Sequence, residues 1–202
     1  ARLAGALNRQ GIVPVLLKGA CFVVTHGDAA PWRFLGDLDL LVAPAELQRA
    51  IAAARALGLV PEHDDYDGAR DAHYPALVMP GSATVIELHT RLFAGAAGGR
   101  IEAALRAGCV TDDRLGPTVG LPTAEMRLAH LLAHSQLHHR FFDERRLLLR
   151  DALDLAMLGA GGMAIDRGRV LDLFEEGFER AAARGLLLAA DRLMARPAAV
   201  PD

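Results

Sequence analysis

The stretch RFLGDLDLLV, residues 33–42, combines an apolar strand pattern with two aspartates near its start. Aspartate is disfavoured in strands, and a buried charge is costly unless it is neutralised or finds a cation. Asp37 and Asp39 are two residues apart, so on a strand both side chains lie on the same face. This strand therefore requires a fold that brings a cationic partner to that face.

A third carboxylate occurs in a similar setting, in TVIELH. Glu87 lies between Ile86 and Leu88 and also interrupts an apolar strand. If the two strands are neighbours in one sheet, Glu87 shares a face with Asp37 and Asp39. Carboxylate oxygens are preferred ligands of Mg²⁺ and Mn²⁺, and two such ions can clamp a phosphate and activate an attacking oxygen. The alternative is an exposed strand end with solvated acids.

The residues around the aspartates favour a site. Gly36 lets the chain approach a ligand closely. Arg33 supplies positive charge nearby, either for a ligand or for a salt bridge to the aspartates, and the two roles are compatible. Lys18, in LLKGA, is the only lysine in the chain. This indicates a position that needs a compact ammonium and not a planar guanidinium, with chance retention as the alternative.

The apolar pattern divides the chain into a mixed part and a helical part. Strands are predicted at 12–17, 34–42 and 59–64 and in a hairpin that turns at 80–82, and helices at 1–10, 45–58 and 99–108. From residue 121 onward only helical periodicity remains, with helices predicted at 143–160, 166–178 and 179–195 after a first one that bears histidines. We therefore predict an α+β fold over residues 1–117, with a mixed sheet and flanking helices. A helical domain at 118–202 would pack on the active-site side.

Composition restricts the class of protein further. The chain has 202 residues, 52% of them hydrophobic, which is enough for a sizeable core. A formal net charge of −3 gives no sign of general nucleic-acid binding. No apolar run is long enough to span a bilayer and no signal peptide opens the sequence, so no membrane partner is expected. Two distant cysteines, Cys21 and Cys109, indicate a reducing compartment, so we expect a cytoplasmic protein.

Histidines form a second group of candidates. His130, His134 and His138 are four residues apart and share one face of a predicted helix. They could bind zinc as part of a hydrolase, line an active site or pack between helices. We expect His134 to contact substrate. His89 follows Glu87 by two residues, so it could orient an acid, contact substrate or fill the strand end.

In the order of these elements the sequence resembles the nucleotidyltransferase superfamily, whose fold is shared by DNA polymerase β and the aminoglycoside nucleotidyltransferases. More narrowly, it resembles a bacterial group of largely uncharacterised nucleotidyltransferase-like proteins. Their outline is an LKG turn, R-x-x-GD-x-DLLV, ELH and a histidine-bearing helix. The corresponding segments are LLKGA (16–20), RFLGDLDLLV (33–42), IELH (86–89) and LAHLLAHSQLHH (128–139).

The resemblance implies a metal-dependent reaction. A nucleoside monophosphate would move from a nucleoside triphosphate such as ATP to a hydroxyl of a small-molecule, peptide or protein acceptor, and pyrophosphate would leave. Asp37, Asp39 and Glu87 match the acids of the superfamily and would hold Mg²⁺ or Mn²⁺ as catalytic residues. The residues implied in nucleotide binding are Lys18, Gly19, Arg33 and Gly36.

One departure from the superfamily pattern concerns the first turn. Lys18-Gly19 stands where a glycine-serine pair is usual, so the serine hydroxyl is missing. Lys18 could contact the triphosphate instead, and the Gly19 amide at a helix N-terminus could still bind phosphate. Because of this departure, the alternative function is a non-catalytic nucleotide- or partner-binding module on the same fold.

Overall fold

The computed structural model of the chain describes residues 1–27, 35–160 and 164–194. The chain divides into two compact units, Ala1–Thr123 and Ala124–Asp202. Within the described residues, the strands belong to the first unit, and the second unit contains helices and turns. This is the α+β organisation predicted from the sequence.

The first unit alternates short strands with helices. Its helices are α1 (Arg2–Arg9), α2 (Lys18–His26), α3 (Leu47–Arg55) and α4 (Ala96–Ala107), and a 3₁₀ turn over Pro44–Glu46 precedes α3. Its strands are β1 (Val15–Leu16), β2 (Asp37–Leu41), β3 (Val60–Pro61), β4 (Leu77–Val78), β5 (Val85–His89), β6 (Cys109–Asp112) and β7 (Val119–Pro122).

The described strands form one mixed sheet in the order β3-β4-β5-β2-β1-β7-β6. Strand β2 pairs in parallel with β5 and antiparallel with β1, and β1 pairs in parallel with β7. The pairs β3–β4, β4–β5 and β6–β7 are antiparallel. The prediction that the DLDLL and VIELH strands are neighbours in one sheet is therefore confirmed. Both strands lie in the interior of the sheet.

Strand β7 corrects the prediction that helices alone follow residue 117. In β7, Gly120 lies opposite Val15 of β1, and its N–H donates to the Pro14 carbonyl at 2.9 Å. A Cβ at Gly120 would come within 2.9 Å of a Val15 methyl carbon, so glycine permits the close approach of the two strands. The sequence VGLP does not predict a strand, because glycine and proline are rare in strands.

Strands β2 and β5 have one apolar face and one polar face. Leu38, Leu40, Ile86 and Leu88 belong to or pack against the core of the first unit, which also contains Leu7 of α1. Successive side chains on a strand point to opposite faces. The acids that alternate with these apolar residues therefore lie on the sheet face away from this core.

The second unit is helical throughout its described part. Helix α5 (Ala124–Ala133) continues into a π-helical turn, His134–His138, and is followed by α6 (Leu149–Ala160), α7 (Arg167–Leu171) and α8 (Phe178–Met194). Helix α7 is shorter than its predicted range and is capped by Asp166, whose side chain accepts a hydrogen bond from the Arg169 N–H. None of the helices in the described ranges is both long and apolar enough to cross a membrane.

Candidate active site

Strands β2 and β5 place two acids side by side on the polar face of the sheet. Asp39 is the register partner of Glu87 in the parallel pair. The Asp39 side chain is 1% exposed, whereas that of Glu87 is 20% exposed. Two neighbouring carboxylates repel each other when ionised, so this arrangement requires donors or cations close by.

His89 bridges the two acids. Its Nε2 lies 2.9 Å from Asp39 Oδ1 and 3.2 Å from Glu87 Oε2. Ionised carboxylates only accept hydrogen bonds, so Nε2 carries the hydrogen and donates to both. Among residues 1–27, 35–160 and 164–194, these three form the one group of potential metal ligands whose ligand atoms all lie within 4.8 Å of one another.

Lys18 brings a second cation to Asp39. Its Nζ lies 2.7 Å from Asp39 Oδ1, and the lysine side chain is 24% exposed. Lys18 is the first residue of α2 and follows β1 after the single residue Leu17. Its φ of 42° is in the left-handed region that favours glycine. This turn places the ammonium beside the β2 carboxylate.

The two oxygens of Asp39 differ in their surroundings. Oδ1 accepts hydrogen bonds from Lys18 and His89. Oδ2 is buried and has no hydrogen-bond partner among the residues that the structure describes. A buried carboxylate oxygen without a partner calls for an explanation, and a divalent cation that prefers oxygen ligands supplies one.

The hydrogen bonds and charges of the cluster determine its protonation. Burial opposes ionisation of Asp39, but the hydrogen bond from His89 and the charge of Lys18 outweigh it and hold the pKa of this carboxyl well below its usual range. The hydrogen bond from His89 likewise lowers the pKa of Glu87, against the effect of burial. Burial acts to lower the pKa of His89, but its bonds to the two acids raise it overall. Both acids are therefore ionised at neutral pH.

His73 is a member of this neighbourhood that was not predicted from the sequence. It forms an isolated antiparallel bridge with His89, and the centroids of the two rings are 5.1 Å apart. Its Nε2 lies 4.0 Å from Glu87 Oε2. His73 precedes β4 in HYPALV, where no local pattern marks it, because its position depends on strand register.

The other predicted residues of the first unit lie around this cluster or outside the described ranges. Asp37 begins β2 on the same face as Asp39, with Val85 as its register partner, but it is not a member of the close group. The Gly36 carbonyl accepts a hydrogen bond from the Val85 N–H at 3.3 Å. Gly19 is buried in the first turn of α2. Arg33 lies outside the described residues.

The histidines of the second unit form a separate aromatic group. The ring centroid of His134 lies 5.7 Å from that of His130, 5.1 Å from His138 and 4.4 Å from His139. A π-helical turn within a helix frequently occurs at a functional site. In the described part of the chain these histidines do not form a group with ligand atoms close enough to share a metal, so the geometry does not favour the zinc interpretation.

Comparison with solved structures identifies the fold as that of a nucleotidyltransferase. The solution structure of the antibiotic-resistance factor ANT(2'')-Ia matches with a TM-score of 0.57 at 12% sequence identity, covering 95% of this chain and 92% of that one. The crystal structure of ANT(2'')-Ia in complex with adenylyl-2''-tobramycin matches with a TM-score of 0.58 at 14% identity, covering 91% and 94%. No curated protein matches the chain.

The chain belongs to a family described as uncharacterised nucleotidyltransferases, whose family model matches residues 1–194. The match spans the described helices and strands of both units. The resemblance to the nucleotidyltransferase superfamily is thereby confirmed, and the protein is an enzyme of this class.

Proposed function

We propose that this enzyme transfers a nucleoside monophosphate from a nucleoside triphosphate to a hydroxyl of a small-molecule, peptide or protein acceptor, in a reaction that depends on Mg²⁺ or Mn²⁺. The observation that carries the proposal is Asp39 Oδ2, a buried carboxylate oxygen without a partner among the described residues, beside a second acid and a lysine. One structural relative was solved with adenylyl-2''-tobramycin, an adenylylated small molecule, which supports a small-molecule acceptor.

The residues that would hold the metal are Asp39 and Glu87, with Asp37 on the same strand face. The donor set fits because it consists of carboxylates, two of which are kept ionised by their neighbours. A bound divalent cation would neutralise phosphate charge and lower the pKa of the acceptor hydroxyl.

We assign Lys18 and Gly19 to bind the triphosphate. The lysine side chain is partly exposed and flexible, so its ammonium can leave Asp39 and pair with phosphate oxygens. The Gly19 N–H lies in the first turn of the nine-residue helix α2, where unpaired N–H groups and the helix dipole favour anions.

Of the two paired acids, Glu87 and not Asp39 is assigned to the acceptor hydroxyl. Its side chain is 20% exposed, whereas Asp39 is buried, so Glu87 is the one that can reach a hydroxyl entering from solvent. Its Oε2 accepts a hydrogen bond from His89, which restricts the carboxylate orientation. We assign Glu87 to accept the hydroxyl proton and Asp39 to position the triphosphate.

Thermal unfolding with nucleotides tests this proposal. The wild type, Asp39→Asn and the matched control Asp113→Asn, an exposed acid of the same unit, are each heated with the four ribonucleoside triphosphates, with and without Mg²⁺ or Mn²⁺. A ligand at about 100 times its Kd stabilises a protein by about 2.7 kcal/mol. We expect a shift that needs both metal and nucleotide in the wild type and in Asp113→Asn, and no shift in Asp39→Asn.

The nucleotide that produces the shift is then supplied with an α-phosphate label to search for the acceptor. Cooperative unfolding of the wild type without a shift for any nucleotide would contradict the proposal. A shift that needs no metal and persists in Asp39→Asn would indicate a nucleotide-binding module that does not use these acids. Glu87→Gln serves as the second variant if Asp39→Asn does not fold.

A further inference from the structure

We propose that His89 is a positioning residue whose Nε2–H ties Asp39 to Glu87 and turns Asp39 Oδ2 toward the metal. This inference rests on the proposed function, because it assigns Asp39 Oδ2 to a divalent cation. Of the roles that the sequence left open for His89, this one corresponds to the orientation of an acid and not to substrate contact.

His89 is buried and fixed in place by the sheet. Its side chain is 5% exposed, and the sheet holds its backbone, since the His89 carbonyl accepts a hydrogen bond from the Val42 N–H at 2.9 Å. The ring of His73 lies against it, with centroids 5.1 Å apart. A ring held in this way, with its Nε2–H engaged by Asp39 and Glu87, is fixed in position to orient these two acids.

The single Nε2–H has a defined effect on both acids. It lies 2.9 Å from Asp39 Oδ1 and 3.2 Å from Glu87 Oε2, so one hydrogen is shared between two adjacent carboxylates. This contact reduces their repulsion and holds Oδ1 in place. Both oxygens of Asp39 are bonded to the same carbon. Holding Oδ1 in place therefore also sets the direction in which Oδ2 points.

Lys18 also donates to Asp39 Oδ1, but of the two donors only His89 is held in place by the sheet. The lysine side chain is 24% exposed and would move to the triphosphate when nucleotide binds, whereas His89 is buried in the sheet. Once Lys18 has moved, His89 is the donor that still holds Oδ1. The buried histidine therefore maintains the geometry of Asp39 in the nucleotide-bound enzyme.

Two substitutions of His89 by amide residues distinguish a positioning role from metal ligation and from packing alone. The amide nitrogen of Gln corresponds in position to Nε2 of histidine, and that of Asn corresponds to Nδ1. His89→Gln therefore keeps the donor to both acids, and His89→Asn is the matched control that does not. The unfolding temperature of each variant without metal establishes that it is folded.

Mn²⁺ binding to the wild type, His89→Gln and His89→Asn is measured by isothermal titration calorimetry. Loss of a hydrogen-bond partner of a metal ligand costs about 10–100-fold in metal affinity. We expect such a loss in His89→Asn and an affinity close to that of the wild type in His89→Gln. Equal weakening of both variants would overturn the proposal, since it would indicate that the imidazole itself ligates the metal. Wild-type affinity in both variants would overturn it as well, since His89 would then only pack.

The wild-type titration separates failure of this inference from failure of the proposed function. A wild type that binds Mn²⁺ no better than Asp39→Asn contradicts the metal dependence, and the role of His89 with it. If His89→Asn does not fold, the Nε2–H proton of His89 is followed by NMR in ¹⁵N-histidine-labelled protein. We expect it to be protected from exchange and to shift in both Asp39→Asn and Glu87→Gln. A rapidly exchanging Nε2–H would overturn the proposal.

Discussion

The Nζ atom of Lys18 lies 2.7 Å from Oδ1 of Asp39 and so connects the turn between β1 and α2 to the middle of β2. The carboxylate side of this ion pair is almost fully removed from solvent, since the Asp39 side chain is 1% exposed. Partially buried ion pairs are screened less by salt than exposed ones. Lys18 therefore favours the ionised form of Asp39 in the nucleotide-free enzyme, and the contact holds the lysine that we assign to the triphosphate.

Replacing Lys18 by methionine tests the contribution of this pair to stability. We expect Lys18→Met to lower the free energy of unfolding at pH 7 by about 1–3 kcal/mol, because a buried charged group loses a hydrogen-bond donor. The pKa of Asp39 is held below its ordinary value of 3.8, so the associated stability is present above pH 3.8 and is lost as the pH falls toward the native value. Without Lys18 the native pKa of Asp39 rises, and the difference between the two proteins should shrink below about pH 4.

Urea unfolding of both proteins from pH 3 to pH 7 measures this difference. Lys18→Arg, which keeps the positive charge, is the control and should lose less stability. Methionine, like lysine, is unbranched at Cβ, so the substitution adds no branching at the φ of 42°. A destabilisation that does not change with pH would therefore contradict an electrostatic origin and indicate lost packing.

A second prediction concerns a buried polar group in the helical unit. Ser135 Oγ donates to Asp151 Oδ2 at 2.6 Å, and Gln136 Nε2 donates to Ser135 Oγ at 2.8 Å. Burial raises the pKa of Asp151, against the hydrogen bond from Ser135. A group with a raised pKa contributes stability below its unfolded value of 3.8, and this is lost as the pH rises through its native value. Ionised Asp151 therefore reduces stability at neutral pH.

Asp151→Asn should make the protein more stable at pH 7, since it removes a charge whose ionisation burial opposes. The asparagine carbonyl still accepts the hydrogen bond from Ser135 and carries no charge. The advantage should disappear below pH 4. Denaturant unfolding followed by helix circular dichroism measures it. Ser135→Ala is the control and should destabilise by about 1–3 kcal/mol, because the buried carboxylate then lacks its donor. Loss of stability in Asp151→Asn at pH 7 would contradict the prediction.

A third prediction uses two adjacent glycines in α4. A Cβ at Gly98 would overlap the Phe93 carbonyl oxygen, whereas a Cβ at Gly99 would meet no atom within 4 Å. Alanine is favoured over glycine in a helix interior, so Gly99→Ala should stabilise by about 0.5–1 kcal/mol. Gly98→Ala should destabilise by about 1–3 kcal/mol because a backbone atom would have to move. Equal effects of the two substitutions in thermal unfolding would contradict the packing at the start of α4.

The paired acids could be predicted from the sequence because each one interrupts an apolar strand. Asp39 and Glu87 were visible in this way, and the structure places them opposite each other in parallel register. Lys18 could be selected as a candidate because it is the only lysine in the chain. Its contact with Asp39, however, depends on how the turn after β1 packs against β2. His73 had no local signal, since only the register of distant strands brings it to His89.

Strand β7 could not be predicted for a different reason. Local propensity favours strands rich in β-branched and aromatic residues, and VGLP lacks most of them. Its formation depends on tertiary pairing, in which Gly120 permits close approach to Val15. The π-helical turn at His134–His138 also departs from the regular helix that the spacing of the histidines predicts.

The position of β7 beside β1 has a consequence for the order in which the chain is synthesised. While the ribosome has released only the residues up to α4, β1 has β2 on one side and no partner strand on the other, and an open sheet edge invites pairing with other chains. The side chain of Asn8 also lacks its partner until Thr118 has been synthesised. Asn8 Oδ1 accepts a hydrogen bond from the Thr118 N–H at 2.8 Å, and Asn8 Nδ2 donates to the Thr118 carbonyl at 2.9 Å. The sheet around the acids is therefore completed only when Pro122 has emerged, and a fragment cut at residue 117 would keep this edge open.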